Sequence, residues 1–86
     1  MNSVFEITYH PDVRQDLVRI AKQEKNRIRH AIETKLTLSP QEFGEPLRRS
    51  LKGYWKLRVG DYRVIYKIRN RTVVILRIGH RREIYR

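Results

Sequence analysis

Cysteine is absent from this 86-residue chain, so neither disulfides nor thiolate-held zinc can support its fold. Acidic residues are scarce: nine Asp and Glu stand against twenty Lys and Arg, a formal net charge of +11. Such an imbalance in a small domain points toward an anionic partner, with nucleic acid the first candidate. The three histidines, His10, His30 and His80, share no ligand-like spacing, so neither a bound metal nor a cofactor is expected. No apolar run is long enough to span a bilayer, and the N-terminus lacks a signal-peptide apolar region. The helical segments are not basic on one face and aromatic on the other, which argues against a membrane surface as partner. A cytoplasmic location is expected. Proline and glycine are few, three and four in all, and no repeat or low-complexity tract occurs.

What is present fits a single domain over residues 1–86, because a chain this short has no room for a second core. Val4-Phe5-Glu6-Ile7-Thr8-Tyr9 alternates and predicts a first strand with Phe5, Ile7 and Tyr9 on one side. His10-Pro11-Asp12 opens a helix, with Pro11 tolerated in the first turn and Asp12 suited to its positive end. Val13, Leu17, Ile20 and Ala21 form its apolar stripe. A second helix is predicted over about residues 25–37, with Ile28, Ala31, Ile32 and Leu36 inward and Lys22-Gln23-Glu24-Lys25-Asn26 as the connector. Ser39-Pro40 stops it. Residues 40–50 then read as a surface loop pinned by Leu47, Leu51 and Phe43.

Two strands follow, Tyr54–Val59 and Tyr62–Tyr66, around a Gly60-Asp61 turn in which glycine supplies positive φ. A two-residue turn pairs Val59 with Tyr62, Arg58 with Arg63, Leu57 with Val64, Lys56 with Ile65 and Trp55 with Tyr66. The next hairpin, around Arg69-Asn70-Arg71, has two possible registers. A three-residue loop would put Val74, Leu76 and Ile78 on the core and Arg77 beside Arg63, whereas a two-residue loop would bury Arg77. The first is favoured, because burying an unpaired guanidinium costs several kcal/mol. The order β-α-α-β-β-β predicts an α+β fold: an N-terminal strand, a two-helix hairpin and an antiparallel three-stranded meander, with the helices on one sheet face.

In this register Trp55, Leu57, Val59, Tyr62, Val64 and Tyr66 face the helices, and Lys56, Arg58 and Arg63 share the opposite side. Like charges across a strand pair destabilise a sheet, so their presence suggests an anion to be bound. Lys52, Arg77, Arg81, Arg82 and Arg86 extend the candidate nucleic-acid surface, since residues 48–86 hold only two acids, Asp61 and Glu83. Planar guanidinium groups suit phosphates, and Tyr54 and Tyr85 are candidate platforms for stacked bases. RNA carries its own nucleophile, the 2′-OH, so a catalyst must align it, accept its proton and neutralise charge on the phosphorane. Arginines can supply that neutralisation. Proton transfer has three candidates. Neighbouring cations disfavour the ammonium form of Lys56, Tyr85 could act in the same way, and His80 is either a proton carrier or a strand-end residue bonded to backbone.

The blocks Leu51-x-Gly53…Trp55-x-Leu57-Arg58-x-Gly60-Asp61-Tyr62-Arg63-x-x-Tyr66 and Gly79-His80-Arg81-Arg82-x-x-Tyr85 resemble the RelE/ParE superfamily of type II toxin–antitoxin toxins, and the resemblance runs over nearly the whole chain. RelE-type members cut messenger RNA in the ribosomal A site without metal, leaving a 2′,3′-cyclic phosphate, whereas ParE-type members poison DNA gyrase. The resemblance implies Lys56 as general base, Arg63 and Arg81 as phosphate ligands, Arg58 as a further basic position and Tyr85 as the residue that stacks on or orients the substrate. Arg81 and Arg82 compete for one role, since the segment before Tyr85 is two residues shorter than in some relatives. A family lysine two residues before the Lys56 position is here Tyr54, and the resemblance leaves part of the proton transfer for His80 to take over. An acidic, partly disordered antitoxin is the implied partner, alongside the ribosome and mRNA. Three functions therefore stand: ribosome-dependent mRNA endonuclease, gyrase poison of the same fold, and simple nucleic-acid-binding module.

Overall fold

A computed structural model describes residues 4–47 and 53–84. Alternation of Phe5 and Ile7 places β1 at Glu6–Tyr9, beside the last strand rather than the next one. It runs parallel to β5 (Thr72–His80), with Glu6 opposite Thr72 and Tyr9 opposite Ile75. Parallel neighbours need a crossover, and the helices form part of it. The sheet order is β1-β5-β4-β3-β2, with β3 at Tyr54–Val59, β4 at Tyr62–Arg69 and a two-residue β2 at Glu45–Pro46. The α+β architecture, its helices on one face, is the one read from the sequence.

The helices differ in their bounds. Helix α1 covers Val13–Val18, and α2 begins at Lys22 and runs to Ala31. The polar run Lys22–Asn26, expected as a connector, is the first half of α2. Lys, Gln and Glu are good helix formers, and polarity alone is no turn signal. The chain turns instead at Arg19-Ile20-Ala21, where Ala21 is extended at ψ 150°. Beyond Ala31 the helix widens into a π-helical turn at Ile32–Leu36. The Thr34 and Thr37 hydroxyls donate to the carbonyls of His30 (2.8 Å) and Glu33 (2.6 Å) there, contacts that loosen the regular ladder.

Residues 40–47, expected as part of a pinned surface loop, carry regular structure instead. Pro40–Phe43 form a helical turn, α3, and β2 then pairs with the edge of β3, Glu45 opposite Lys56 and Pro46 opposite Trp55. The buried pin is Pro40, whose carbonyl accepts a 2.6 Å hydrogen bond from the Tyr66 hydroxyl. Phe43 is 48% exposed, under the ammonium of Lys35. Leu51 lies outside the described residues.

The β3–β4 register matches the expected one pair for pair. The β4–β5 hairpin departs from the favoured three-residue loop, and also from the buried Arg77 expected of the two-residue one. Its turn is two residues, Asn70-Arg71, with Asn70 at φ 54°. Pairing then slips between Ile65 and Tyr66: Tyr66 faces Ile75, Ile65 faces Arg77, and Leu76 is extra. The bulge reverses alternation midway, so Val73, Ile75 and Ile78 all reach the core while Arg77 stays half exposed. Those three pack with Leu57, Val59, Val64 and Tyr66 from the sheet, and with Val13, Ile20, Ile28, Ala31, Ile32 and Leu36 from the helical side.

Arg77 is therefore not beside Arg63. Its Nε and Nη2 donate to the Asp16 carboxylate on α1 at 3.0 and 3.2 Å, and the Ile78 amide donates to the same group at 2.8 Å. This carboxylate raises the guanidinium's affinity for its proton and fastens α1 to β5 just past the bulge. Asp16→Ala is expected to lower unfolding stability by about 2 kcal/mol, since hydrogen bonds to charged groups contribute about 1.5–3 kcal/mol. Urea denaturation measures it.

Candidate nucleic-acid interface

Strand alternation brings Tyr54, Lys56 and Arg58 of β3 to the face turned away from the helices. Arg63 of β4 lies directly opposite Arg58, and Lys67 opposite Tyr54 with its ammonium 5.4 Å from the ring centroid. The juxtaposed cations have an acid between them. Glu45, carried there by β2, sets Oε1 3.9 Å from Lys56 Nζ and 3.8 Å from Arg58 Nη2. Lys56 is mostly covered, its side chain 22% exposed, whereas Arg58 is 61% exposed. Such pairs at a surface are worth about 0–1 kcal/mol, so they add little to the stability of the fold.

The tight turn at the end of this hairpin collects further cations. Gly60 has φ 61°, the value a leading glycine supplies in primed turns. Arg63 Nη1 donates to the Gly60 and Tyr62 carbonyls, both at 2.9 Å. A guanidinium has five N–H donors, so these two bonds leave donors for a phosphate. From β5's end, the Arg81 amide donates to the Asp61 carbonyl at 2.8 Å, and Arg81 Nε lies 4.0 Å from the Asp61 carboxylate. Arg27 of α2 lies over the turn as well: a methyl group built on Gly60 would meet its guanidinium at 3.2 Å.

Lys56, Arg58 and Arg63 thus share one face, and Arg81 joins the turn beside Arg63. Arg82 is exposed nearby, its amide donating to His80 Nδ1 at 3.2 Å. Arg77 does not join the set, because Asp16 holds it. His80 is placed apart from Lys56 and Arg63: it pairs with Tyr62, its ring edge-on at 5.6 Å, on the helix side of the sheet. Lys52, Tyr85 and Arg86 lie outside the described residues. The sequence reading missed Glu45 and Arg27. Glu45 had one visible signal, being the lone acid between Glu42 and Asp61. Arg27 had none, since only the tertiary fold brings α2 to this turn. Among the described residues no helix is long and apolar enough to cross a membrane.

Comparison with known proteins gives the geometry a context. Residues 7–85 match the model of the ParE toxin family of type II toxin–antitoxin systems. Toxin RelG of Mycobacterium tuberculosis is 49% identical over 53 residues, a match spanning 59% of this chain and 61% of RelG. A chain from the RelBE2 toxin–antitoxin complex of M. tuberculosis is 32% identical and superposes with a TM-score of 0.85, covering 90% of this chain and 98% of that one. A chain of the RelB–RelE antitoxin–toxin complex of Methanococcus jannaschii has the same fold at 20% identity, with a TM-score of 0.68 over 91% of this chain and 94% of that one.

Proposed function

Because the chain belongs to the ParE toxin family of type II toxin–antitoxin systems, within the RelE/ParE superfamily, we propose that it is a ribosome-dependent mRNA endonuclease that arrests translation. One observation carries this reading. A carboxylate, Glu45, sits between Lys56 and Arg58 on an exposed sheet face, with Arg63 across the strand pair. Pure phosphate binding needs cations only. Strand scission by the 2′-OH also needs a base beside them.

In the proposed reaction the 2′-oxygen of one nucleotide attacks the adjoining phosphorus, and its proton passes to the Glu45–Lys56 pair. An ionised carboxylate can accept a proton where an ammonium cannot. Charge growing on the non-bridging oxygens is met by Arg63 and Arg81, the first held by the Gly60 and Tyr62 carbonyls before the reaction begins. The bond to the 5′-oxygen breaks, that oxygen takes up a proton, and the products are a 2′,3′-cyclic phosphate and a 5′-hydroxyl. Tyr85 is the residue assigned to orient the base and assist the leaving oxygen, with Tyr54, Arg58, Lys52, Arg82 and Arg86 along the strand's path. No base-reading pocket is needed if the ribosomal A site presents the message, and action in the cytoplasm follows from that substrate. The partner that restrains the toxin is proposed to be an acidic, partly disordered antitoxin complementary to the +11 charge.

Mapping mRNA 5′ ends in a reconstituted ribosome assay tests this reading. Discrete cuts support it, and an intact message with arrested growth overturns it. The match to the ParE model favours a second reading, poisoning of DNA gyrase. Its signature is stalled gyrase and a DNA-damage response with uncut mRNA. Glu45→Gln is expected to slow cleavage about 10²-fold, the lower range of positioned acid–base catalysis. Single-turnover kinetics checks it, and an unchanged rate would leave Glu45 with no role beyond charge balance.

A further inference from the structure

We propose that His80 is a positioning residue for the basic site, holding the turn that carries Arg81 from the opposite side of the sheet. Arg63 pairs with Gly79, so the next residue, His80, projects the other way. Its ring packs edge-on to Tyr62 at 5.6 Å, in a cleft shared with Gln15, Arg19 and Ile20 near α1. From there it closes the turn at both ends. Nδ1 accepts the Arg82 amide at 3.2 Å, and the His80 carbonyl accepts the amides of Glu83 at 2.8 Å and Ile84 at 3.0 Å. Ile84 then folds back on Gly79, where an added methyl group would lie 3.0 Å from its Cδ1. Between these bonds lies Arg81, whose own amide is fixed on Asp61 at 2.8 Å.

A histidine so placed acts through Arg81 rather than on the reacting atoms. Nδ1 is occupied by the Arg82 amide, and the ring stands on the helix side of the sheet while Lys56 and Arg63 stand on the other. The inference rests on the endonuclease reading and deepens it. It divides the C-terminal segment into Arg81, which meets the phosphate, and His80, which sets where Arg81 stands.

Two variants separate the alternatives. His80→Asn keeps an acceptor for the amide two residues on, as asparagine does in turns, but removes the ring and its proton chemistry. His80→Phe keeps the ring against Tyr62 and removes the acceptor. The expected result is cleavage within about threefold of wild type for H80N, and a kcat loss of up to about 10²-fold with little change in KM for H80F, the cost of a misplaced catalytic group. Loss in both variants would make His80 a proton carrier and overturn the proposal. Loss in H80N alone would make ring packing its role, and loss in neither would leave it without one; each overturns the proposal. Hydrogen exchange at the Arg82 amide gives a readout independent of activity: protection persists in H80N and falls in H80F. Wild-type protein that leaves mRNA uncut would overturn the endonuclease reading, while the Arg82 amide still judges the anchor by itself.

Discussion

Arg63→Ala is expected to lower ribosome-dependent mRNA cleavage about 10²–10³-fold, the usual loss when one preorganised donor to a developing oxyanion is removed. Its guanidinium is steered by the Gly60 and Tyr62 carbonyls, so its orientation is set before substrate arrives. The fold should survive the change. Both carbonyls lie at a tight turn and can bond to water instead, so the stability lost is small. Arg63→Lys should rescue little, because an ammonium is a point charge without the planar fork that matches two phosphate oxygens. Rates are read from single-turnover cleavage on programmed ribosomes, with thermal unfolding as the control. An Arg63→Ala protein that cuts at the wild-type rate would remove this side chain from the mechanism.

Gly44→Ala is expected to destabilise the protein by about 3 kcal/mol or more, beyond the usual range for an overpacked core. The backbone itself would accept alanine, since φ −101° and ψ 175° are ordinary extended values. Space is the constraint: a methyl group on Gly44 would lie 1.7 Å from the Tyr66 hydroxyl oxygen, 2.8 Å from the ring carbon bearing it and 3.1 Å from the Lys56 carbonyl. Tyr66 is fully buried, and burial pushes its phenol up, favouring the protonated form that donates to the Pro40 carbonyl. Either this bond breaks or residues 40–46 lift from the edge of β3. For a domain of this size the midpoint should fall by roughly 12–24 °C, at about 4–8 °C per kcal/mol. Because Glu45 is the next residue, cleavage should weaken too. Tyr66→Phe in the same chain removes the oxygen but not the ring carbon, so the pair should recover part of the loss in a double-mutant cycle. A Gly44→Ala protein melting with the wild type would refute the packing argument.

Much of the fold was readable because its signals are local. Alternation through Tyr54–Tyr66 and the Gly60-Asp61 turn specify the β3–β4 register, and Arg58 does face Arg63. The second hairpin was not readable, because the bulge at Leu76 changes parity within one strand. Nothing in Val73-Val74-Ile75-Leu76 distinguishes the extra residue from its neighbours. The connector was misread for a related reason, since Lys22–Asn26 is polar on a helix whose buried positions begin later, at Ile28.

By itself the sequence determined the α+β class, the inward and outward faces of β3 and β4, and the grouping of Lys56, Arg58 and Arg63, all consequences of a two-residue period along the chain. Tertiary structure alone decided the rest. It drew Arg77 to Asp16, set Glu45 between two cations, brought Arg27 over Gly60 and turned His80 to the far side of the sheet. Each of these depends on contacts between segments far apart in the chain or on a one-residue slip in pairing, and neither leaves a periodic trace in the sequence.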